Sequence, residues 1–354
     1  MGGVVPIALM MCPGRLYALS IYLGALCVAR RSSAFNDSTS TGSCPIHTSK
    51  LTTASGKAVC RYALGGAARS VQPESLAMKY RDILSENANH AAPFYFYYNP
   101  SRYPLFLSGL GKSFCNDETS NNCRKNMFIA SGGTELSPKA LDERLNDALV
   151  HSGGDYLDAF VLEYVCHELV SDNQQLGEEL TQAIEHVHKM KREGKVRYVM
   201  ASTHSHLIGK VLASTTAFDA LMLRYNMSHK NAAESLSLPS AIQNNVPILA
   251  FTTTRWNRLQ SDPPTNTGPY PTTADCLKFA LQHPAVDIVL HSARDEKELD
   301  AAILPLLSCS TSEQLNWLSR NEYEQWRAYG SDENEWNEDD CFDEYPEESK
   351  FIKA

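Results

Sequence analysis

Residues 178–202 read EELTQAIEHVHKMKREGKVRYVMAS, and two different periods meet inside them. Leu180, Ile184, Val187 and Met190 recur at helical spacing, which sets an apolar stripe along one face of a helix. Gly194 follows the last periodic residue, where a glycine readily takes the left-handed backbone that ends a helix. Val196 to Ser202 is then a short run rich in Val and Tyr, the composition of a strand. His186 and His188 lie two apart and off a common face, so they are expected as exposed helix residues and not as metal ligands.

The same unit repeats in both directions. Strand candidates are Val59 to Leu64, Phe94 to Asn99, Met127 to Ser131, Tyr156 to Glu163, Val196 to Ser202, Ala220 to Asn226, Val246 to Thr252 and Val286 to His291. A helical pattern follows nearly every one. Ser137-Pro138, for instance, is a favoured cap and first-turn pair, and Leu141, Leu145 and Leu149 continue from it at helical spacing. Eight such units predict an α/β fold of one domain, a closed (β/α)8 barrel, over an open doubly wound sheet. Gly65-Gly66 after the first strand is no dinucleotide fingerprint, because a Gly-x-Gly-x-x-Gly run is missing and the next helical segment starts at Pro73. A nucleotide would have to be held by the loops at the C-terminal end of the barrel.

The ends differ from this body. Arg15 precedes an apolar run from Leu16 to Ala29, too short to span a bilayer comfortably but suited to a signal-peptide core. A Ser- and Thr-rich stretch then reaches Cys60 and carries, after Asp37, Lys50 and Lys57 but no acid. The expected organisation is a targeting presequence over residues 1–57, with a signal peptide to about residue 34, a barrel over 58–310 and an acidic extension over 311–354. The segment resembles the bipartite presequence of algae with complex plastids, with Ser32 where the first alanine of the cleavage motif stands. That implies a plastid location, with secretion as the alternative and no membrane segment in the mature form.

The formal charge of −9 also sits at an end. Ten acids against Lys350 alone lie between Ser331 and Lys350, which leaves the rest of the chain neutral. A neutral body with an anionic tail offers no basis for nucleic-acid binding, and the tail reads as a solvated extension or a surface for a protein partner. Ten cysteines show neither a C-x-x-C pair nor metal-ligand spacing with His, so no metal site is expected. Cys115 and Cys123 flank a polar loop, and buried or free thiols are their expected state.

Three segments in the right order resemble the aldo-keto reductases, NADP(H)-dependent carbonyl reductases on a (β/α)8 barrel. They are Leu145 to Leu162 with its Gly154-Asp155-Tyr156-Leu157-Asp158, Lys189 to Arg197, and His283 to Leu299. The resemblance spans about Val59 to Leu307. It implies hydride transfer from a nicotinamide to the carbonyl carbon of a small molecule, with a tyrosine protonating the oxygen. A tyrosine titrates near 10 and is a poor acid alone, so the family places a lysine beside it and an aspartate beside the lysine.

Carried over position by position, the resemblance assigns Tyr103 as the catalytic tyrosine and Glu163 to the place of the family's histidine. The aspartate position holds Tyr98 and the lysine position Gly132, so restoring the pair would take Tyr98→Asp with Gly132→Lys. Ser202 matches the serine that holds the nicotinamide carboxamide, while its partner asparagine and glutamine are Thr203 and Met222. Phe251 stands where an aromatic stacks on the nicotinamide, and Arg255 lies on the loop that passes the pyrophosphate. Ser292 and Arg294 fall at the contacts to the 2′-phosphate, with Glu298 and Ala302 replacing the residues that read the adenine. Two functions follow as expectations: an NADP(H)-dependent oxidoreductase with weak or altered catalysis, or a non-catalytic barrel that binds a cofactor or serves as a scaffold.

Overall fold

A computed structural model of the chain describes residues 49–66, 73–87, 91–97, 123–170, 175–261, 269–308 and 317–329, all within the unit Gly42–Ala354. Among them are eight strands, β1 (Val59–Gly65), β2 (Ala92–Tyr97), β3 (Phe128–Gly133), β4 (Leu157–Leu162), β5 (Val196–Thr203), β6 (Ala220–Arg224), β7 (Ile248–Phe251) and β8 (Val286–His291). All pair in parallel in sequence order, and β8 returns to β1 through partners such as Ala63 and Leu290, so the sheet closes into a barrel. Each expected strand is present.

Strand alternation divides the side chains into two layers. Met200 on β5, Ala220 and Met222 on β6, and Leu249 on β7 belong to the cluster that fills the barrel. Their sequence neighbours Val199, Leu221, Leu223 and Ala250 belong to the outer cluster packed against the helices. The principal helices that cover the sheet are α1 (Pro73–Asn87), α2 (Pro138–Ser152), α3 (Glu178–Arg192), α4 (His206–Ser214), α5 (Leu238–Gln243), α6 (Thr273–Gln282) and α7 (Glu296–Leu307). α2 starts where its sequence says, with Ser137 Oγ accepting from the Ala140 amide at 3.3 Å. Beyond α3, Gly194 adopts φ +77°, and the chain turns at once into β5. His186 and His188 are half-buried rather than exposed, because each bonds outside its own helix, to Asp142 Oδ1 at 3.1 Å and to the Ala217 carbonyl at 2.8 Å.

The floor of the barrel is closed from the N-terminal side. Thr52 and Ala58 form an antiparallel bridge, and Leu51 is packed into the interior cluster. Asp158 is fully buried there, between Arg124 and Arg197 at 2.7 Å each, so its charge is doubly compensated. At the other end of the chain, α8 (Arg320–Tyr329) docks on the barrel. Trp326 is buried, Tyr329 Oη donates to the Leu259 carbonyl at 2.6 Å, and Arg327 pairs with Glu234 at 2.6 Å. No helix among the described residues is long and apolar enough to cross a membrane.

Candidate active site

The inward-facing positions at the C-terminal ends of the strands define the mouth of the barrel. Glu163 continues the interior line of Ala159 and Val161 one residue past β4, and its amide donates to the Gly133 carbonyl at 2.9 Å. Ser202 continues the line of Met200 on β5. Arg224 ends β6 in line with Met222 and is register partner to Phe251, the last residue of β7. The fold therefore brings Glu163, Ser202 and Phe251 to one rim. Tyr103 and Tyr98 lie outside the described residues.

β3 contributes no side chain at this level. Its inward residue is Gly132, and a Cβ there would fall 1.9 Å from the Val161 carbonyl oxygen. Backbone atoms of the neighbouring strand occupy the path that a lysine would need. The nearby cation, Arg144, is directed elsewhere: it donates to the carbonyls of Gly132 and Tyr97 and to Ser131 Oγ, holding β2 and β3 to α2.

Ser202 is tied to the turn after β4. Its Oγ accepts from the Tyr164 amide at 2.9 Å, and its carbonyl accepts from Val165 at 2.8 Å. The serine hydroxyl keeps its own proton to donate. Tyr164 takes φ +67°, a conformation that costs a non-glycine residue about 1 kcal/mol. That turn aims its ring across the mouth, 5.0 Å from His204, whose ring in turn meets Phe251 at 4.9 Å and 62°. Sequence reasoning passed over both His204 and Arg224. Each continues an inward alternation by one more step, so the signal was present in the strand pattern.

Behind this rim lies a basic layer. Arg224, His229 and Lys230 are all buried. Asn226 organises it, donating to the Thr252 carbonyl at 2.9 Å, meeting His229 Nδ1 at 3.0 Å and accepting from the Ser228 and His229 amides. His206, at the start of α4, meets Ser237 Oγ at 3.0 Å through Nδ1, while its buried Nε2 lacks a hydrogen-bond partner. Burial, reinforced by Arg224, His229 and His204, lowers its pKa to about 3, so it is neutral near pH 7.

The exit from β7 is strained. Thr252, Arg255, Trp256 and Asn257 all have φ between 50° and 68°, and Arg255 is buried. The hydroxyls of Thr252 and Thr253 are buried without hydrogen-bond partners. Strain and unsatisfied buried donors together mark a loop shaped for something polar. After β8, Ser292 is half-buried and Arg294 is exposed. Arg294 is held by Glu298, which accepts from its amide at 2.8 Å and from its guanidinium at 2.6 Å.

These residues fit a nicotinamide dinucleotide in part. Phe251 offers a ring, Ser202 a proton, and the two threonines offer donors at the β7 exit. A 2′-phosphate near Arg294 would have to compete with the Glu298 carboxylate that already holds it. Among the described residues, no three His, Cys, Asp or Glu groups are gathered as a metal set.

Residues 108–262 match the aldo/keto reductase family model. No curated protein sequence matches the chain. Among solved structures, the holo form of an aldo-keto reductase from Bacillus halodurans is similar at 16% identity and TM-score 0.57, over 80% of this chain and 96% of that one. An aldose reductase from Giardia lamblia is similar at 13% identity and TM-score 0.53, over 76% and 92%. A thermostable aldo-keto reductase in complex with the inhibitor epalrestat is similar at 15% identity and TM-score 0.55, over 80% and 100%. At such identities the likeness is one of fold, and it agrees with the closed barrel. The segment that resembles the aldo/keto reductase family model runs through β3 to β7 and so supplies much of the mouth described above.

Proposed function

We propose that the protein is an NADP(H)-dependent oxidoreductase that interconverts the carbonyl and alcohol forms of a small molecule, with catalysis altered from the family pattern. The observation that carries this reading is Phe251, which closes β7 at the mouth in register with Arg224 and one strand away from the β5–β6 pair of Ser202 and Met222. An aromatic face there suits a nicotinamide ring, and the Ser202 hydroxyl suits its carboxamide. The bound cofactor would supply a hydride. Glu163, and Tyr103 from the family resemblance, are the candidates to orient the carbonyl, while Arg255 and the Thr252 and Thr253 hydroxyls suit the pyrophosphate. Ser292 and Arg294 are the candidates for the 2′-phosphate.

Catalysis is altered because the inward position on β3 is Gly132, so a tyrosine acid would lack its ammonium neighbour. The same observation supports a second reading, a barrel that binds cofactor without turnover. Titration of the purified mature chain with NADPH and NADP+, followed by fluorescence, tests the shared premise. Saturable binding is expected; no binding of either would remove both the oxidoreductase and the cofactor-binding reading and leave a scaffold. We also propose that the chain is delivered to a plastid by its N-terminal segment, on the sequence pattern given above.

A further inference from the structure

We infer that His204 is the residue that delivers the proton to the carbonyl oxygen, an assignment that rests on the cofactor-dependent reduction proposed above. His204 follows β5 directly and continues the inward line of Met200 and Ser202. Its imidazole bridges the mouth from Tyr164, beyond β4, to Phe251, at the end of β7, with centroid distances of 5.0 and 4.9 Å. A substrate carbonyl placed against a nicotinamide on Phe251 would therefore lie beside this ring.

The other imidazoles near the rim are differently placed. His206 and His229 are buried, the first on Ser237 and the second on Asn226, whereas His204 is partly exposed. Partial exposure is what a proton donor needs, since it must be recharged from water after each turnover. An imidazole also titrates near neutrality and can act as an acid without a neighbouring ammonium, unlike a phenol. Gly132 denies the site that ammonium, because the Val161 carbonyl occupies its path.

The step balances on this chain's residues and the hydride donor. A hydride reaching the carbonyl carbon forms the new C–H bond with its own electron pair. The carbonyl π pair moves to oxygen, and the imidazolium of His204 gives that oxygen its N–H proton. The product is the alcohol, with oxidised cofactor and a neutral imidazole that takes a proton from solvent.

The test uses the mature chain with 15N-labelled histidine, and His204→Gln to identify the His204 signals by their disappearance. NADP+ added to the wild type should shift those signals. NADPH should bind His204→Gln within about threefold of the wild type, while turnover of 4-nitrobenzaldehyde falls about 100-fold, the lower range for loss of a general acid. If the cofactor binds but the His204 signals stay in place, or if His204→Gln turns over as the wild type does, the assignment is wrong. Binding of NADPH to His204→Gln much more tightly than to the wild type would also overturn it, because the ring would then be filling the Phe251 face. Should the variant fail to fold, the wild-type titration, with the signals assigned through the Phe251 and Tyr164 ring contacts, decides alone. Failure of both proteins to bind NADPH refutes the cofactor reading itself and is read from fluorescence, independently of the histidine signals.

Discussion

Gly132 and Val161 approach so closely that a Cβ on the glycine would sit 1.9 Å from the valine carbonyl oxygen and 2.8 Å from its Cβ. The contact is with backbone on a paired strand, which cannot rotate away as a side chain can. Gly132→Ala should therefore destabilise the barrel at the upper end of overpacking costs, about 3 kcal/mol, read as a lower urea midpoint. Gly132→Lys, even with Tyr98→Asp, should fail to restore an ammonium to the mouth, contrary to what the sequence alone suggested. A Gly132→Ala protein as stable as the wild type would show that β3 and β4 can separate at this level.

The histidines give stability a definite dependence on pH. Burial lowers His206 to about 3 and His291 to about 4, against 6.5 for an unperturbed imidazole. His291 is enclosed against Tyr62 Oη at 3.0 Å, and burial lowers His283 as well. Above pH 6.5 all are neutral in both the folded and unfolded chain, so proton binding contributes nothing to stability there. As pH falls below that value the unfolded chain binds protons that the native state refuses, so stability is lost on acidification. His206 and His291 alone give a limiting slope of about 2.7 kcal/mol per pH unit, two protons at 2.303RT each. Urea unfolding between pH 7.5 and 5.5 measures it, and His206→Gln should remove about half. A midpoint that does not move over this range would contradict the burial of both rings.

Much of this architecture is legible in the sequence, and the reasons are local. Leu180, Ile184, Val187 and Met190 all proved buried, and Gly194 turned the chain as its position required, because helix periodicity and capping are decided within a few residues. What the sequence could not disclose depends on separation in space. The closeness of Gly132 to Val161 is a matter of two strands distant in sequence. His204 was readable in principle, as the next inward step after Ser202, but its strand ends at Thr203, and only the fold shows Tyr164 and Phe251 on either side of it. Likewise, α8 falls within the 311–354 extension expected from the sequence but ahead of its acidic run, and Trp326 and Arg327 anchor it through burial and through Glu234.

Cofactor preference should be set by a contest at the start of α7. Arg294 is the contact proposed above for a 2′-phosphate, but Glu298 holds both its amide and its guanidinium. Burial alone would raise the Glu298 carboxyl, yet hydrogen bonds from Arg294 bring it below its usual value, so it is anionic at neutral pH and repels phosphate. The pair is largely exposed, which limits its strength. Glu298→Gln should raise the NADPH over NADH preference by up to about tenfold, or about 1.4 kcal/mol, and Arg294→Ala should abolish it. If Glu298→Gln leaves the ratio unchanged in fluorescence titrations, Arg294 is not the phosphate contact.

Processing of the N-terminus should stop short of the floor of the barrel. Ser49 Oγ and the Lys50 amide both donate to Asp287 Oδ2 at 2.9 Å, Arg197 donates to the Thr52 carbonyl at 2.8 Å, and Leu51 is buried among the interior side chains. Burial pushes the Asp287 carboxyl upward, and the bonds from Lys50 and Ser49 oppose it, so removing the segment would uncover a site built around it. The targeting segment proposed from the sequence should therefore be cut between about residues 30 and 48, keeping Ser49 to Lys57 in the mature protein. Intact mass measurement of protein from its native source gives the position directly. Purified chains starting at Ser49 and at Ala58 supply the physical comparison, and the shorter should lose at least about 2 kcal/mol, the usual lower cost of removing a buried leucine. A native N-terminus beyond Lys57, or equal stability of the two chains, would show that the hairpin is dispensable to the barrel.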